Sequence, residues 1–122
     1  MSHTTALLLT AAVGLGLAAT AASAHPRLQA SNPAPGAVLK TAPKDIRLSF
    51  SEELVPAFTG LEVKMTGGKT VPTGKAAPVA GDRRKIAVPI GARLMPGTYN
   101  VAWHAVSVDT HRVAGTFSFK LR

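Results

Sequence analysis

Apolar and polar residues alternate at every second position in several short segments, and this period constrains the fold more than any other feature. Alternation gives a β-strand one apolar face, because successive side chains point to opposite sides of a sheet. Beyond residue 24, no segment carries a sustained apolar stripe of helical period. The apolar members of the alternating segments are Ile46, Leu48 and Phe50; Leu61, Val63 and Met65; Ile86, Val88 and Ile90; Tyr99, Val101 and Trp103; and Phe117, Phe119 and Leu121.

Clusters of proline, glycine and other turn-forming residues separate these segments. They lie at 32–36, 66–69, 80–82 and 95–97. Many short strands with one apolar face each predict an all-β domain, an antiparallel sandwich or barrel of about seven strands. Residues 67–82 are the least strand-like, and we expect a long irregular connection there. The chain shows no internal repeat, and its length supports one domain.

The first 24 residues differ from the rest, because they contain no Lys, Arg, Asp or Glu. An apolar run covers Ala6–Ala22 and ends in Ala-Ser-Ala, the small-x-small pattern that signal peptidase accepts. The alternative is an uncleaved membrane anchor, but a helix of this length spans only about 25 Å and no basic cluster follows it. The sequence therefore predicts a signal peptide over 1–24, cleavage after Ala24, and an exported domain over 25–122.

Composition excludes several classes of function. The chain has no Cys, which rules out a disulfide scaffold, a thiol nucleophile, a cysteine zinc site and an iron–sulfur cluster. Fourteen Lys and Arg against six Asp and Glu give a formal charge of +8. Nucleic-acid binding is not expected, because no basic stripe with interleaved aromatic residues is present and the only tight cluster, 83–85, follows a turn signal. Weak attraction to anionic lipid headgroups or cell-wall polymers stays open.

The segment 103–111 holds the densest group of chemically reactive side chains. Asp109 and His111 stand two residues apart, so in an extended chain both point to the same side. Such a pair can supply two metal ligands, or a base with its orienting carboxylate. Taken alone, it is more typical of a surface hydrogen bond at a strand end.

His25 adds a further donor, because cleavage after Ala24 makes it the first residue. Its α-amine and imidazole can chelate one metal, and both groups lose protons near neutral pH. Pro26 has no N–H, which excludes the copper-binding mode of flexible peptides that needs a deprotonated second amide. The remaining donors must then come from the fold, where Asp109 and His111 are the candidates. Three nitrogens and one oxygen suit Cu(II); the alternative is that His25 is an arbitrary first residue left by the peptidase.

Several motifs occur together and in order along the chain. They are His-Pro at 25–26, Ser-Asn-Pro-Ala-Pro-Gly at 31–36, Ile-Arg-Leu-Ser-Phe-Ser-Glu at 46–52, Pro-Gly-Thr-Tyr at 96–99, and Ser-Val-Asp-Thr-His at 107–111. In these motifs the chain resembles the CopC family of periplasmic copper-resistance and copper-trafficking proteins. The likeness covers essentially all of residues 25–122. An exported chain that begins with His and carries S-x-D-x-H near its end is a specific combination.

The resemblance implies a Greek-key β-barrel or sandwich that binds Cu(II) at one end. It assigns the ligands to His25, Asp109 and His111. Some members add the Glu of the F-S-E motif, which is Glu52 here; an exposed loop acid explains this residue equally well.

Other family members carry a second site, for Cu(I), in a Met-rich loop. Here Lys69–Ala80 contains no Met or His, and Met65 and Met95 are expected to serve packing or turns. The chain therefore resembles the Cu(II)-only subtype. His104 lies outside the ligand motif, and alternation places it on the face opposite Trp103.

Three functions are consistent with these observations. The first is a monomeric periplasmic Cu(II)-binding protein, not an enzyme, that buffers or carries copper for resistance and homeostasis. The family's usual neighbours, a CopD-like inner-membrane copper permease and a multicopper oxidase, are then the expected partners. The second is an oxidative enzyme with a copper histidine brace, similar to polysaccharide monooxygenases. The third is a metal-free structural module with an immunoglobulin-like fold.

Overall fold

A computed structural model describes residues 25–122, so the predicted signal peptide lies outside the described residues. Nine strands and one short 3₁₀ helix, Pro56–Phe58, make up the described part. The strands are β1 (Leu28–Asn32), β2 (Val38–Leu39), β3 (Asp45–Phe50), β4 (Gly60–Met65), β5 (Thr70–Val71), β6 (Ala77–Val79), β7 (Asp82–Pro89), β8 (Gly97–Val106) and β9 (Arg112–Leu121). No helix within residues 25–122 is long and apolar enough to cross a bilayer.

The strands form two sheets, ordered β1-β3-β7-β6 and β2-β9-β8-β4-β5. Every pairing is antiparallel except β2 with β9, which is parallel. The prediction of an all-β fold is confirmed, and of the two predicted architectures the sandwich forms rather than a closed barrel. The structure has nine strands rather than about seven. Three of them, β2, β5 and β6, are only two or three residues long and are too short to show alternation in the sequence.

The expected irregular connection over 67–82 is wrong in part, because it contains β5 and β6. Both are edge strands, where a missing ladder hydrogen bond is tolerated. Pro78 lies within β6, beside an irregularity in its register with β7. Proline in an apolar segment lowers the strand signal in the sequence, but it does not exclude pairing at a sheet edge.

The core lies between the two sheets and consists of the inward-facing members of the alternating segments. Ile46, Leu48, Val63 and Val101 have no exposed surface. Tyr99 stacks on Phe119, with ring centroids 5.2 Å apart. The side chains predicted to share one face of each strand therefore pack together, as a period of two requires.

The sandwich has two ends with different composition. One end, here called the site end, gathers the end of β3, the start of β7, the end of β8 and the start of β9. Leu54 joins the two sheets there, since its N–H donates to the Arg83 carbonyl and it forms a β-bridge with Ser107. The opposite end, here called the far end, gathers the end of β4, the start of β8 and the end of β9.

Candidate metal centre

The start of the described chain is fixed against the site end. Pro26 is almost completely buried. Arg27 follows it and forms two hydrogen bonds with Ser51: its N–H donates to the Ser51 Oγ, and its carbonyl accepts from the Ser51 N–H, both at 2.9 Å. His25 itself is exposed. A buried residue and a two-bond clamp therefore hold His25 in a defined position while its side chain stays accessible.

A tight loop from Ser107 to His111 carries the other candidate ligands. The Ser107 N–H donates to the His111 carbonyl at 2.9 Å, and the His111 N–H donates to the Ser107 Oγ at 3.2 Å. Thr110 adopts a left-handed conformation with φ of 71°, which is unusual for a β-branched residue. Val108 is tied to the β3 side by donating its N–H to the Glu53 carbonyl. The loop is closed on itself and attached to both sheets.

The structure brings three of the predicted site residues together. The rings of His25 and His111 lie with their centroids 4.6 Å apart and their planes tilted by 57°. The His111 Nδ1 lies 3.0 Å from the Asp109 Oδ2. Since a metal lies about 2.0 Å from a ligating imidazole nitrogen, two rings at this separation are close enough to share one ion.

Asp109 is held as a carboxylate by its neighbours. The Ser107 hydroxyl donates to its Oδ1, and the His111 ring faces its Oδ2. These contacts lower the pKa of Asp109, with the Ser107 hydrogen bond as the largest cause. A carboxylate on the Nδ1 side of His111 leaves the Nε2 of that ring for a metal. This arrangement, in which a carboxylate orients a metal-binding histidine, recurs in metal sites.

Glu52 lies at the same end, between the two anchoring contacts. Its neighbour Ser51 pairs with Arg27, and its other neighbour, Glu53, pairs with Val108. Glu52 is half-buried and makes no ion pair within residues 25–122. The backbone therefore places it beside both halves of the site, without a contact between its carboxylate and the other candidates.

Ser107 is the site residue to which the sequence analysis assigned no role, although it is the first residue of the S-x-D-x-H motif. It is 1% exposed, and it bonds to both Asp109 and His111. Its position continues the inward-facing series that includes Val101 and Ala105. A polar residue at the inward end of a strand, two positions before the Asp–His pair, was the signal available in the sequence.

His104 is placed as the alternation predicts. It is exposed on β8, whereas the adjacent Trp103 is half-buried and packs edge-on against Phe50 at 5.3 Å. His104 lies near Gly60, since a Cβ built there would lie 3.2 Å from the His104 Cε1. Among residues 25–122, His104 forms no hydrogen bond, ion pair or ring contact with His25, Asp109 or His111.

Met65 and Met95 lie closer together than the sequence suggested. They line one pocket of about 120 Å³ at the far end of the sandwich, together with Tyr99. No His, Cys, Asp or Glu lines this pocket.

Side chains alone do not complete a metal site. Within residues 25–122, no group of three or more His, Cys, Asp or Glu side chains is arranged to hold an ion. The site end offers two imidazoles, of His25 and His111, and the carboxylate of Asp109, with one ring already hydrogen-bonded to the carboxylate. A further donor is needed to complete a metal site at this end.

Comparison with known proteins agrees with this fold. The CopC domain model matches residues 28–122. Copper resistance protein C of Xanthomonas campestris pv. juglandis is 40% identical over 116 residues, covering 90% of each chain. The crystal structure of PcoC, a methionine-rich copper resistance protein from Escherichia coli, matches with a TM-score of 0.72 and 35% identity over 81% of this chain and 100% of that chain. CopC from Methylosinus trichosporium OB3b matches with a TM-score of 0.74 and 26% identity over 80% and 93%.

The fold and the site together define a small two-sheet β-sandwich with a histidine-rich end. The chain belongs to the CopC family. The resemblance drawn from its motifs is thereby confirmed.

Proposed function

We propose that this protein is an exported copper-binding protein of copper resistance, which holds Cu(II) at the site end. The donors are the α-amine and imidazole of His25 and the imidazole of His111, with Asp109 beside them. The observation that carries the proposal is the 4.6 Å approach of the His25 and His111 rings, from opposite ends of the described chain. The names of the relatives, copper resistance protein C and PcoC, support copper as the ion.

The donor chemistry supports the divalent ion. Amine and imidazole nitrogens with a carboxylate oxygen are ligands that Cu(II) prefers, whereas Cu(I) prefers thioether and thiolate sulfur. Both of the described methionines lie at the far end, where they line a different pocket. The site end therefore offers nitrogen and oxygen donors only.

Asp109 can support the ion in two ways. The sequence predicts it as an oxygen ligand. In the structure both of its oxygens are engaged, one by the Ser107 hydroxyl and one by the His111 ring. We propose that it fixes the His111 ring in this conformation, and that a lone pair not used in these hydrogen bonds is available to the ion. Glu52 is the remaining oxygen donor within the same end.

The proposal includes export and a carrier role. The predicted signal peptide over 1–24 would direct the chain to the periplasm, and cleavage after Ala24 would release the His25 amine. The protein would then buffer copper as a monomer, or pass it to a membrane permease or a multicopper oxidase. No enzymatic activity is proposed.

The deciding experiment compares two forms of the protein that differ only at the first residue. Both begin at His25, and in the second the α-amine is acetylated, which removes it as a donor without moving the His25 ring. Titration with Cu(II), followed by electron paramagnetic resonance, reads the number of coordinating nitrogens. We expect tight 1:1 binding with three nitrogens when the amine is free, and a large loss of affinity when it is acetylated, because the acetylated nitrogen no longer offers a lone pair to the ion. Equal affinity in both forms would contradict the proposed donor set.

The same titration separates the other two functions considered. A metal-free module would show no Cu(II) uptake and no copper-dependent rise in Tm, whereas a ligand at 100 times its Kd stabilises a protein by about 2.7 kcal/mol. An oxidative enzyme would oxidise chitin or cellulose when the copper-loaded protein is supplied with a reductant. The proposal expects no such product.

A further inference from the structure

The charges of the protein are distributed unevenly between the two ends of the sandwich. Of the six carboxylates, four lie at the site end: Glu52, Glu53, Asp82 and Asp109. The other two are matched on their own strands, Asp45 by Arg47 at 3.3 Å and Glu62 by Lys64 at 3.4 Å. The far end therefore has no unpaired Asp or Glu side chain to balance its remaining cations.

Besides the last residue, Arg122, five exposed cations occupy that end and form no ion pair within residues 25–122. We call them the basic pole: Lys40, Lys44, Lys69, Arg93 and Lys120. They come from five separate places in the chain: after β2, before β3, in the β4–β5 turn, between β7 and β8, and near the end of β9. The strand pairings place these five segments at the same end of the sandwich.

Apolar side chains are exposed among these cations. Met95 is 62% exposed in the loop that carries Arg93, and Val38 is 51% exposed in the strand that pairs with Lys120. Arg93, Lys69 and Met95 also line one pocket. A patch that binds only soluble anions needs no exposed Met or Val, whereas cations with interspersed apolar residues are typical of surfaces that lie on a lipid interface.

We propose that the basic pole binds an anionic lipid surface, with lipid phosphates on the cations and Met95 inserted at the headgroup boundary. This binding is independent of the proposed copper site, which lies at the other end of the ten-residue strand β8. At about 3.3 Å per residue, the two ends are separated by roughly 30 Å.

The test is flotation of the chain beginning at His25 with lipid vesicles, without copper. This form contains both sheets and the whole core, and mass spectrometry verifies its first residue. Vesicles of phosphatidylglycerol mixed with phosphatidylcholine are compared with pure phosphatidylcholine in about 50 mM salt. We expect binding to the anionic vesicles only, weakening as salt is raised.

Two triple variants with equal charge separate the basic pole from net charge. Lys40→Gln/Arg93→Gln/Lys120→Gln removes three charges at the far end, and the control Arg83→Gln/Arg84→Gln/Lys85→Gln removes three at the site end. All six side chains are exposed, and circular dichroism with Tm checks that both variants fold. We expect the far-end variant to lose at least about tenfold in vesicle affinity and the control to lose much less.

Three outcomes would overturn the proposal. The first is no binding to anionic vesicles, and the second is equal loss in the two triple variants, which would show that only net charge matters. The third is unchanged vesicle binding of Met95→Ser, because binding would then need no apolar contact and would extend to any polyanion, including an acidic protein. A lower vesicle affinity of Met95→Ser, with unchanged elution from a heparin column, supports the lipid surface.

Discussion

Ser107 and His111 close the candidate metal loop through two hydrogen bonds in opposite directions. The Ser107 N–H donates to the His111 carbonyl, and the His111 N–H donates to the Ser107 Oγ. The same hydroxyl donates its own proton to Asp109. One buried side chain therefore sets both the backbone of the loop and the direction of its carboxylate.

Removing this hydroxyl should affect both the fold and the metal. In Ser107→Ala, the Asp109 carboxylate loses a donor and the His111 N–H loses an acceptor at a buried position. We expect a loss of about 1–3 kcal/mol in the free energy of unfolding, and a 10- to 100-fold loss in Cu(II) affinity, as for other residues that orient a metal ligand. Chemical denaturation and competitive Cu(II) titration measure the two effects. Ser118→Ala, near the far end of β9, is the control. Equal copper affinity in Ser107→Ala and the wild type would contradict the proposed role of the Ser107 hydroxyl.

His111, in the Ser107–His111 loop, and His104, on β8, should differ sharply in their importance. His111→Ala removes the ring that approaches His25, and we expect it to lower Cu(II) affinity by at least about 100-fold. His104→Ala removes an exposed ring with no contact to the site and should leave the affinity unchanged. Titration against a competing chelator measures both variants. A comparable loss in His104→Ala would place the ion elsewhere in the molecule.

Asp109 should make stability depend on pH in mild acid. Its pKa is below the ordinary value of 3.8, so folding favours the ionised form. The resulting stabilisation is complete above that ordinary value and is lost as the pH falls through the lower folded pKa. The Tm difference between the metal-free wild type and Asp109→Asn should therefore be largest at pH 5–6 and shrink towards pH 2. A difference that stays constant over this range would show that Asp109 acts without its charge.

Two glycines test how closely the strands of the second sheet pack. A Cβ at Gly115 would lie 2.5 Å from the Trp103 Cζ2, and the half-buried indole packs against Phe50. We expect Gly115→Ala to cost about 1–3 kcal/mol, or several degrees in Tm. At Gly60 the nearest atom belongs to the exposed His104 ring, which can move away, so Gly60→Ala should change Tm little. Similar effects of the two substitutions would contradict this account.

The fold could be predicted largely because burial follows a local period. Ile46, Leu48, Tyr99 and Val101 lie inward as their alternation requires, since successive side chains of a strand point to opposite faces of the sheet. Three edge strands, β2, β5 and β6, were missed because their two or three residues show no periodicity and β6 contains a proline. Short pairings of this kind depend on the neighbouring strand more than on their own sequence.

The site could be predicted only in part. The spacing of Asp109 and His111 places them on one side of the chain, but it does not bring His25 near them. That approach depends on the burial of Pro26 and on the clamp between Arg27 and Ser51, which are contacts across the fold. The motif resemblance supplied the connection. Ser107 was missed because a serine at a strand end has no specific meaning until its hydrogen bonds are known.

The buried position of Pro26 has a practical consequence for any work with this protein. In the proposed mature form only His25 would project beyond Pro26, so the terminus would have no slack to absorb an insertion. A purification tag or an imperfectly removed fusion partner would leave the sandwich folded and its circular dichroism normal while changing its ion affinity. Two samples with the same Tm could then differ in their Cu(II) affinity, and the identity of the first residue would explain the difference.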